Sequence, residues 1–175
     1  MFSYLTHVST LAVSGWTTNN VTSISGTFSH CEAITSLDLS GWNVSNTNGL
    51  FETFTVCYAL TNLNLSGWDT SNATTFQSAF RRCRSLTTLA LSSFDTSKVT
   101  QAYFCFSGCT SLTTIYVSNL WDFTHVESGY DFAVFSDCTS LVGGNGTAYN
   151  SNYTRANYAR IDGQNNLPGY LTLKV

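Results

Sequence analysis

The chain is written in apolar columns that return every 26 residues. In the clearest copy Phe80, Cys83, Leu86, Leu89, Leu91 and Phe94 stand apolar among polar neighbours, and the phrase closes on Asp95-Thr96-Ser97. Sliding it back by 26 lands on Phe54, Cys57, Leu60, Leu63, Leu65 and Trp68, and sliding again lands on Phe28, Cys31, Ile34, Leu37, Leu39 and Trp42. The same shift forward meets Phe106, Cys109, Leu112, Ile115 and Val117. A fixed period of this size means a stack of identical supersecondary units, each of which buries its apolar face only against its neighbours.

Within each copy, Leu60-x-x-Leu63-x-Leu65 alternates apolar and polar, which predicts a short strand of about three to five residues. The leucines face inward. The outward positions are Ser36 and Asp38, Asn62 and Asn64, Thr88 and Ala90, then Thr114 and Tyr116. One such strand per turn, in register, predicts a parallel sheet with strands about 4.8 Å apart. Ser66-Gly67-Trp68-Asp69-Thr70-Ser71 then reads as a corner, its Gly supplying turn freedom and its Asp, Thr and Ser bonding to local backbone. The return from Ala73 to Arg82 carries Phe76, Ala79 and Phe80 three and four apart, so a short helix or 3₁₀ turn is expected there.

The expected architecture is an α/β solenoid of about five right-handed turns over residues 1–142, starting near 2, 28, 54, 80 and 106, with strands on one face and short helical segments on the other. The first turn is the least faithful, with Leu5 in the cysteine column, as suits an end turn with one neighbour. The last is lengthened, since Phe135 follows Phe106 by 29 residues. Residues 143–175 leave the period, are rich in Gly, Asn and Tyr, and are expected to form a C-terminal cap over the open end.

At 175 residues the chain has room for one domain with a real core. Charged residues are only 10% and the net charge is −3, which argues against nucleic acid as a partner. Arg81, Arg82 and Arg84 cluster in one turn and read as a solvated edge. No apolar run is long enough to span a bilayer. The chain enters the repeat at Phe2 without a basic-then-apolar leader, so the expectation is removal of an export signal or delivery by another route.

The phrase Phe-x-x-Cys-x-x-Leu-Thr-x-Leu-x-Leu-Ser-x-Trp/Phe-Asp-Thr-Ser resembles the repeat of the BspA-like leucine-rich-repeat surface proteins, a bacterial 26-residue surface repeat. The resemblance covers about residues 2–142, and Tyr158-Ala159-Arg160-Ile161-Asp162-Gly163 with Pro168-Gly169-Tyr170 is similar to the closing segment of such proteins. It implies a non-enzymatic surface or adhesion protein of the kind found in gut and oral bacteria, mycoplasmas and some phages. It brings no catalytic residue, cofactor or metal ligand.

The other constellations read as structure. Cys31, Cys57, Cys83, Cys109 and Cys138 form one column whose side chains all point the same way, which favours buried free thiols over disulfides. Cys105 lies apart and has no zinc-ligand partners at finger spacing. The Phe column and the column of Trp16, Trp42, Trp68, Phe94 and Trp121 read as a core spine, with a sugar platform as the alternative. Asp69, Asp95 and Asp122 read as turn residues, too sparse a set for calcium. His7, His30 and His125 fall in unrelated columns, so no nucleophile, base and orienter converge.

Function is therefore expected on the outward strand face: Ser36, Asp38, Asn62, Asn64, Thr88, Ala90, Thr114 and Tyr116, with Tyr116 as its aromatic anchor. The expected partner is a protein or glycan on a cell surface, and the expected place is extracellular. The alternative is a structural or receptor-binding protein of a phage virion whose partners are other virion proteins. A third reading, an ice-surface binder, is weakened by Asp38, Asn64, Ala90 and Tyr116 breaking the hydroxyl rows. Open ends admit homo-oligomers.

Overall fold

The computed structural model describes residues 2–174. The chain is β-rich, with small parallel sheets and almost no helix. Its strands are β1 (Ser36–Asp38), β2 (Asn62–Asn64), β3 (Thr88–Leu91), β4 (Thr114–Val117) and β5 (Leu171–Leu173). They form two sheets, β1-β2 and β3-β4-β5. The pairing follows the 26-residue period: Ser36 faces Asn62, Asp38 faces Asn64, Thr88 faces Thr114 and Ala90 faces Tyr116, all in parallel.

Residues of the repeat columns are buried for the same reason in each copy. The rings of Phe2, Phe28, Phe54, Phe80, Phe106 and Phe135 stack one on the next, with centroids 5.5–5.6 Å apart. Beside them each column cysteine points its thiol at a phenylalanine carbonyl of the previous turn, as Cys57 does to Phe28, Cys83 to Phe54 and Cys109 to Phe80, at 3.0–3.1 Å. All six cysteines are free and buried. Burial pushes the Cys31 thiol up to about 11 and the Cys109 thiol up to about 12, which keeps them protonated and available as donors. The second aromatic column is strapped differently. Trp42 donates its indole N–H to Val13 and Trp68 donates its own to Leu39, at 3.1 and 2.8 Å. Trp16 is left 44% exposed.

The return segments depart from the expected helix. Each turn places two residues four apart in the left-handed region: Gly26 and His30, Glu52 and Val56, Ser78 and Arg82, Phe104 and Gly108, Ala133 and Asp137. A right-handed helix cannot pass through such a residue, so the chain runs instead as overlapping turns, such as Thr53 N–H to Leu50 O and Cys57 N–H to Phe54 O. This conformation aims alternate amides along the stack. Leu50, Glu52, Phe54 and Val56 donate to Thr75, Gln77, Ala79 and Arg81 of the next turn, at 2.7–3.0 Å. The apolar spacing of three and four is thus met by turns that bury Phe76, Ala79 and Phe80 without any helix. The only helical residues among those described are two 3₁₀ segments, Ala156–Tyr158 and Gln164–Asn166.

The C-terminal residues supply the strand that a further turn would have given. After Val142 the period ends, and β5 arrives from far along the chain to lie parallel to β4, with Leu171 beside Ile115 and Leu173 beside Val117. Asp162 organises the connection: its carboxylate accepts from the amides of Asn145, Thr147 and Gly169 and from the Thr147 hydroxyl. Burial raises this carboxyl, but those hydrogen bonds outweigh it and hold it below the usual carboxylate range. Gly143 is required here, since a Cβ at this position would meet the carbonyl oxygen of Gly169 and the carboxylate of Asp162. The lengthened turn is tied in by Arg155, whose guanidinium grips both oxygens of Asp131 at 2.9 Å.

Candidate functional site: the outward strand face

The corners set the strand face by fixing where each strand ends. In copy after copy an Asp or Asn oxygen caps the amide two residues on: Asn43 to Ser45, Asp69 to Ser71, Asp95 to Ser97 and Asp122 to Thr124, at 2.8–3.0 Å. These are local turn contacts, and they account for the aspartate column without a cation. The strand ends carry the same device one step earlier. Asp38 accepts from the amide and hydroxyl of Ser40, and Asn64 from those of Ser66.

On this frame the eight outward residues stand in two groups. Ser36, Asp38, Asn62 and Asn64 occupy β1 and β2, joined by the Asn64 amide donating to Asp38 at 2.9 Å. Hydrogen bonds from the Ser40 hydroxyl and amide, then from Asn64, hold the Asp38 carboxyl below its usual range. Thr88, Ala90, Thr114 and Tyr116 occupy β3 and β4. Here β5 extends the face, setting Thr172 beside Tyr116, and the Lys174 ammonium lies 5.4 Å from the Tyr116 ring centroid. Within each group the strands are closed by parallel pairing. Between the groups, β2 and β3 do not pair, and an open cleft of about 340 Å³ lies there, lined by Asp38, Thr61, Asn62, Leu63, Asn64, Thr88 and Ala90.

Two parts of this face escape a reading of the outward columns alone. Thr172 and Lys174 lie outside the period, and their signal is the alternation Tyr170-Leu171-Thr172-Leu173. The cleft has a subtler mark, the single phenylalanine, Phe94, in a column otherwise held by tryptophan. A third surface feature gathers on the return side, where Tyr103 stacks on Phe132 at 5.3 Å and Arg81 lies 4.9 Å over the Phe104 ring.

Chemically the face offers mostly uncharged hydrogen-bonding groups on a fixed spacing, with the Asp38 carboxylate on β1 and the Lys174 ammonium beside Tyr116 as its charges. His30 pairs with Glu32 and His125 with Asp122, each at 3.8 Å, on different turns and away from the face. Among the described residues no group of three His, Cys, Asp or Glu side chains is placed to hold a metal ion. No helix among them is long and apolar enough to cross a membrane.

Comparison with curated proteins finds no match, and comparison with solved structures finds none. A family model matches twice, over residues 1–88 and over residues 49–159, so that the two matches together take in every repeat described above. The chain belongs to the family described as Mycoplasma protein of unknown function, DUF285, in which some classifications place the BspA-like repeats.

Proposed function

We propose that the chain is a BspA-like leucine-rich-repeat solenoid that recognises a protein or glycan on a cell surface through its outward strand face. The observation that carries this reading is the register itself. Ser36 with Asn62, Asp38 with Asn64, Thr88 with Thr114 and Ala90 with Tyr116 stand as side-by-side pairs on strands that cannot slip. Rows of Ser, Thr and Asn pre-aligned in this way lose little conformational entropy when a ligand docks, and their neutrality suits a neutral polar partner. Residues 143–174 act in this reading as the cap of the stack, closing the edge of β4 with β5. Tyr116 is the aromatic anchor, half-buried and held by Lys174.

The experiment is binding of the purified protein to a glycan microarray and to immobilised extracellular-matrix proteins, followed by Tyr116→Ala and Asn64→Ala on any ligand found. Each substitution is expected to weaken binding by about tenfold or more, the scale of an interface anchor. Full affinity in both variants would place recognition on another surface.

A further inference from the structure

Every junction between strands of neighbouring turns from β1 to β4 is closed except the one between β2 and β3. On the β1-β2 side, Thr61 sends both its amide and its hydroxyl to Thr35 O, at 2.9 and 3.0 Å. On the β3-β4 side, Thr113 does the same to Thr87 O, at 2.8 and 2.9 Å. The equivalent residue between them, Thr87, reaches Thr61 O with neither group. At the other end of the strands, Leu39 N–H bonds Asn64 O at 2.9 Å, whereas Leu65 N–H has no acceptor among the described residues. β2 and β3 also lack the close Cα approach of the paired strands.

The opening is a slot and not a break in the stack. The same two turns are held at the core by Phe54 on Phe80, with ring centroids 5.6 Å apart, and by the Cys83 thiol on Phe54 O at 3.1 Å. Ser85 bonds Tyr58 O at 2.7 Å before the slot begins, and Thr70 bonds Asp95 O at 2.8 Å after it ends. Phe94 marks its place in the repeat. Trp42 and Trp68 donate an indole N–H to Val13 O and Leu39 O of the turn before, whereas Phe94 has no donor to offer Leu65 O; Trp121 turns its own N–H to Ala159 O, and β3 and β4 pair without such a contact. Leu63, at the slot, is left half-buried, while its counterparts Leu37, Leu89 and Ile115 are buried.

We propose that this slot takes one extended peptide strand of a partner protein, laid parallel to β2 and β3 and between them. This deepens the strand-face reading and rests on it. A single strand satisfies what the two rims leave open, using the bonds that every closed junction uses. Its amides donate to Thr61 O and Ala90 O, and its carbonyls accept from Leu65 N–H and Thr87 N–H. An apolar side chain on its inner face covers Leu63. Four main-chain groups spread over a strand of about four residues, roughly 13 Å, match a polypeptide and not a single sugar ring. The pattern that fits is the one this chain already docks against itself, Leu-Thr-x-Leu-x-Leu.

The test is amide hydrogen exchange, read by NMR on the full chain, with and without a capped peptide Leu-Thr-Asn-Leu-Asn-Leu-Ser that copies residues 60–66. In the free protein, Leu65 and Thr87 are expected to exchange at least a hundredfold faster than Leu39 and Thr113. Millimolar peptide is expected to slow these two at least tenfold. Phe94→Trp, which supplies the missing indole donor to Leu65 O, is expected to weaken peptide binding at least tenfold. Equal protection of all four amides in the free protein overturns the proposal, as does a peptide that leaves Leu65 and Thr87 unprotected. If Phe94→Trp does not fold, the wild-type exchange data decide alone. Peptide protection together with loss of the Tyr116 effect would sink the broader face and leave the slot standing, and the reverse pair of results would sink only the slot.

Discussion

Truncating one phenylalanine in the middle of the ring stack and another at its end separates turn-on-turn packing from ordinary burial. Phe80 is fully buried between Phe54 and Phe106, each at 5.6 Å and tilted by 10° and 5°. Phe2 is half-buried, stacks on Phe28 alone at 5.6 Å, and has as its other ring neighbour Trp16, itself 44% exposed. In both cases alanine keeps the backbone contacts, including the Phe80 N–H to Cys105 O at 2.9 Å and the Cys109 thiol on Phe80 O at 3.0 Å. Full removal of a buried phenylalanine costs about 4 kcal/mol, within the usual range of 3–5. Part of that is the loss of two aromatic contacts worth about 0.5–1.5 kcal/mol each. Phe2→Ala, with roughly half the burial, is expected to cost about 2 kcal/mol. For an m-value of about 2 kcal/mol/M, urea midpoints followed by tryptophan fluorescence and circular dichroism fall by about 2 M and about 1 M. Equal shifts for the two variants would refute a stack whose stability is a sum over nearest-neighbour interfaces.

Two further outcomes follow from particular residues. Asp162→Asn leaves two of the four donors on the carboxylate facing an amide, and is expected to cost about 3 kcal/mol at neutral pH. Because the folded carboxyl sits below its unfolded value, its contribution is complete above about pH 4 and disappears as pH falls through the folded value. The gap in urea midpoint between wild type and variant should thus narrow as pH is lowered from 7 into the acid range below about 4, and a gap that does not change with pH would contradict the assignment. Glu52 holds a φ of 51° in a column where Gly26 holds 61°, so Glu52→Gly is expected to be more stable than Glu52→Ala by about 1 kcal/mol in thermal melts. An alanine variant as stable as the glycine one would show that the left-handed conformation carries no strain.

Much of the fold was legible from the columns. Leu37, Leu89 and Ile115 had to be buried and Asp38, Ala90 and Tyr116 had to face out, because side chains in a strand alternate and a stack repeats its own register. The phenylalanine and cysteine columns were likewise fixed by the need to fill the same space in every turn. The return segments were misread for an identifiable reason. Phe76, Ala79 and Phe80 have helical spacing, but conformation there is decided by left-handed residues such as Ser78 and Arg82, whose identities do not announce a positive φ.

The sequence by itself determined the period, the inward and outward positions, and the eight residues of the strand face, since all of these follow from repetition and from alternation within one turn. Only the tertiary structure decided that β5 would arrive from residues 171–173 to pair with β4, and that Asp162 would gather donors from two separate stretches. It alone placed the gap between β2 and β3, because the spacing of two strands is set by how their whole turns pack and not by the residues within either one. Contacts inside a turn are written in neighbouring letters. Contacts between turns depend on what the next turn supplies: Asn64 O of β2 meets the Leu39 N–H, but among the described residues no carbonyl of the following turn accepts from the Leu65 N–H.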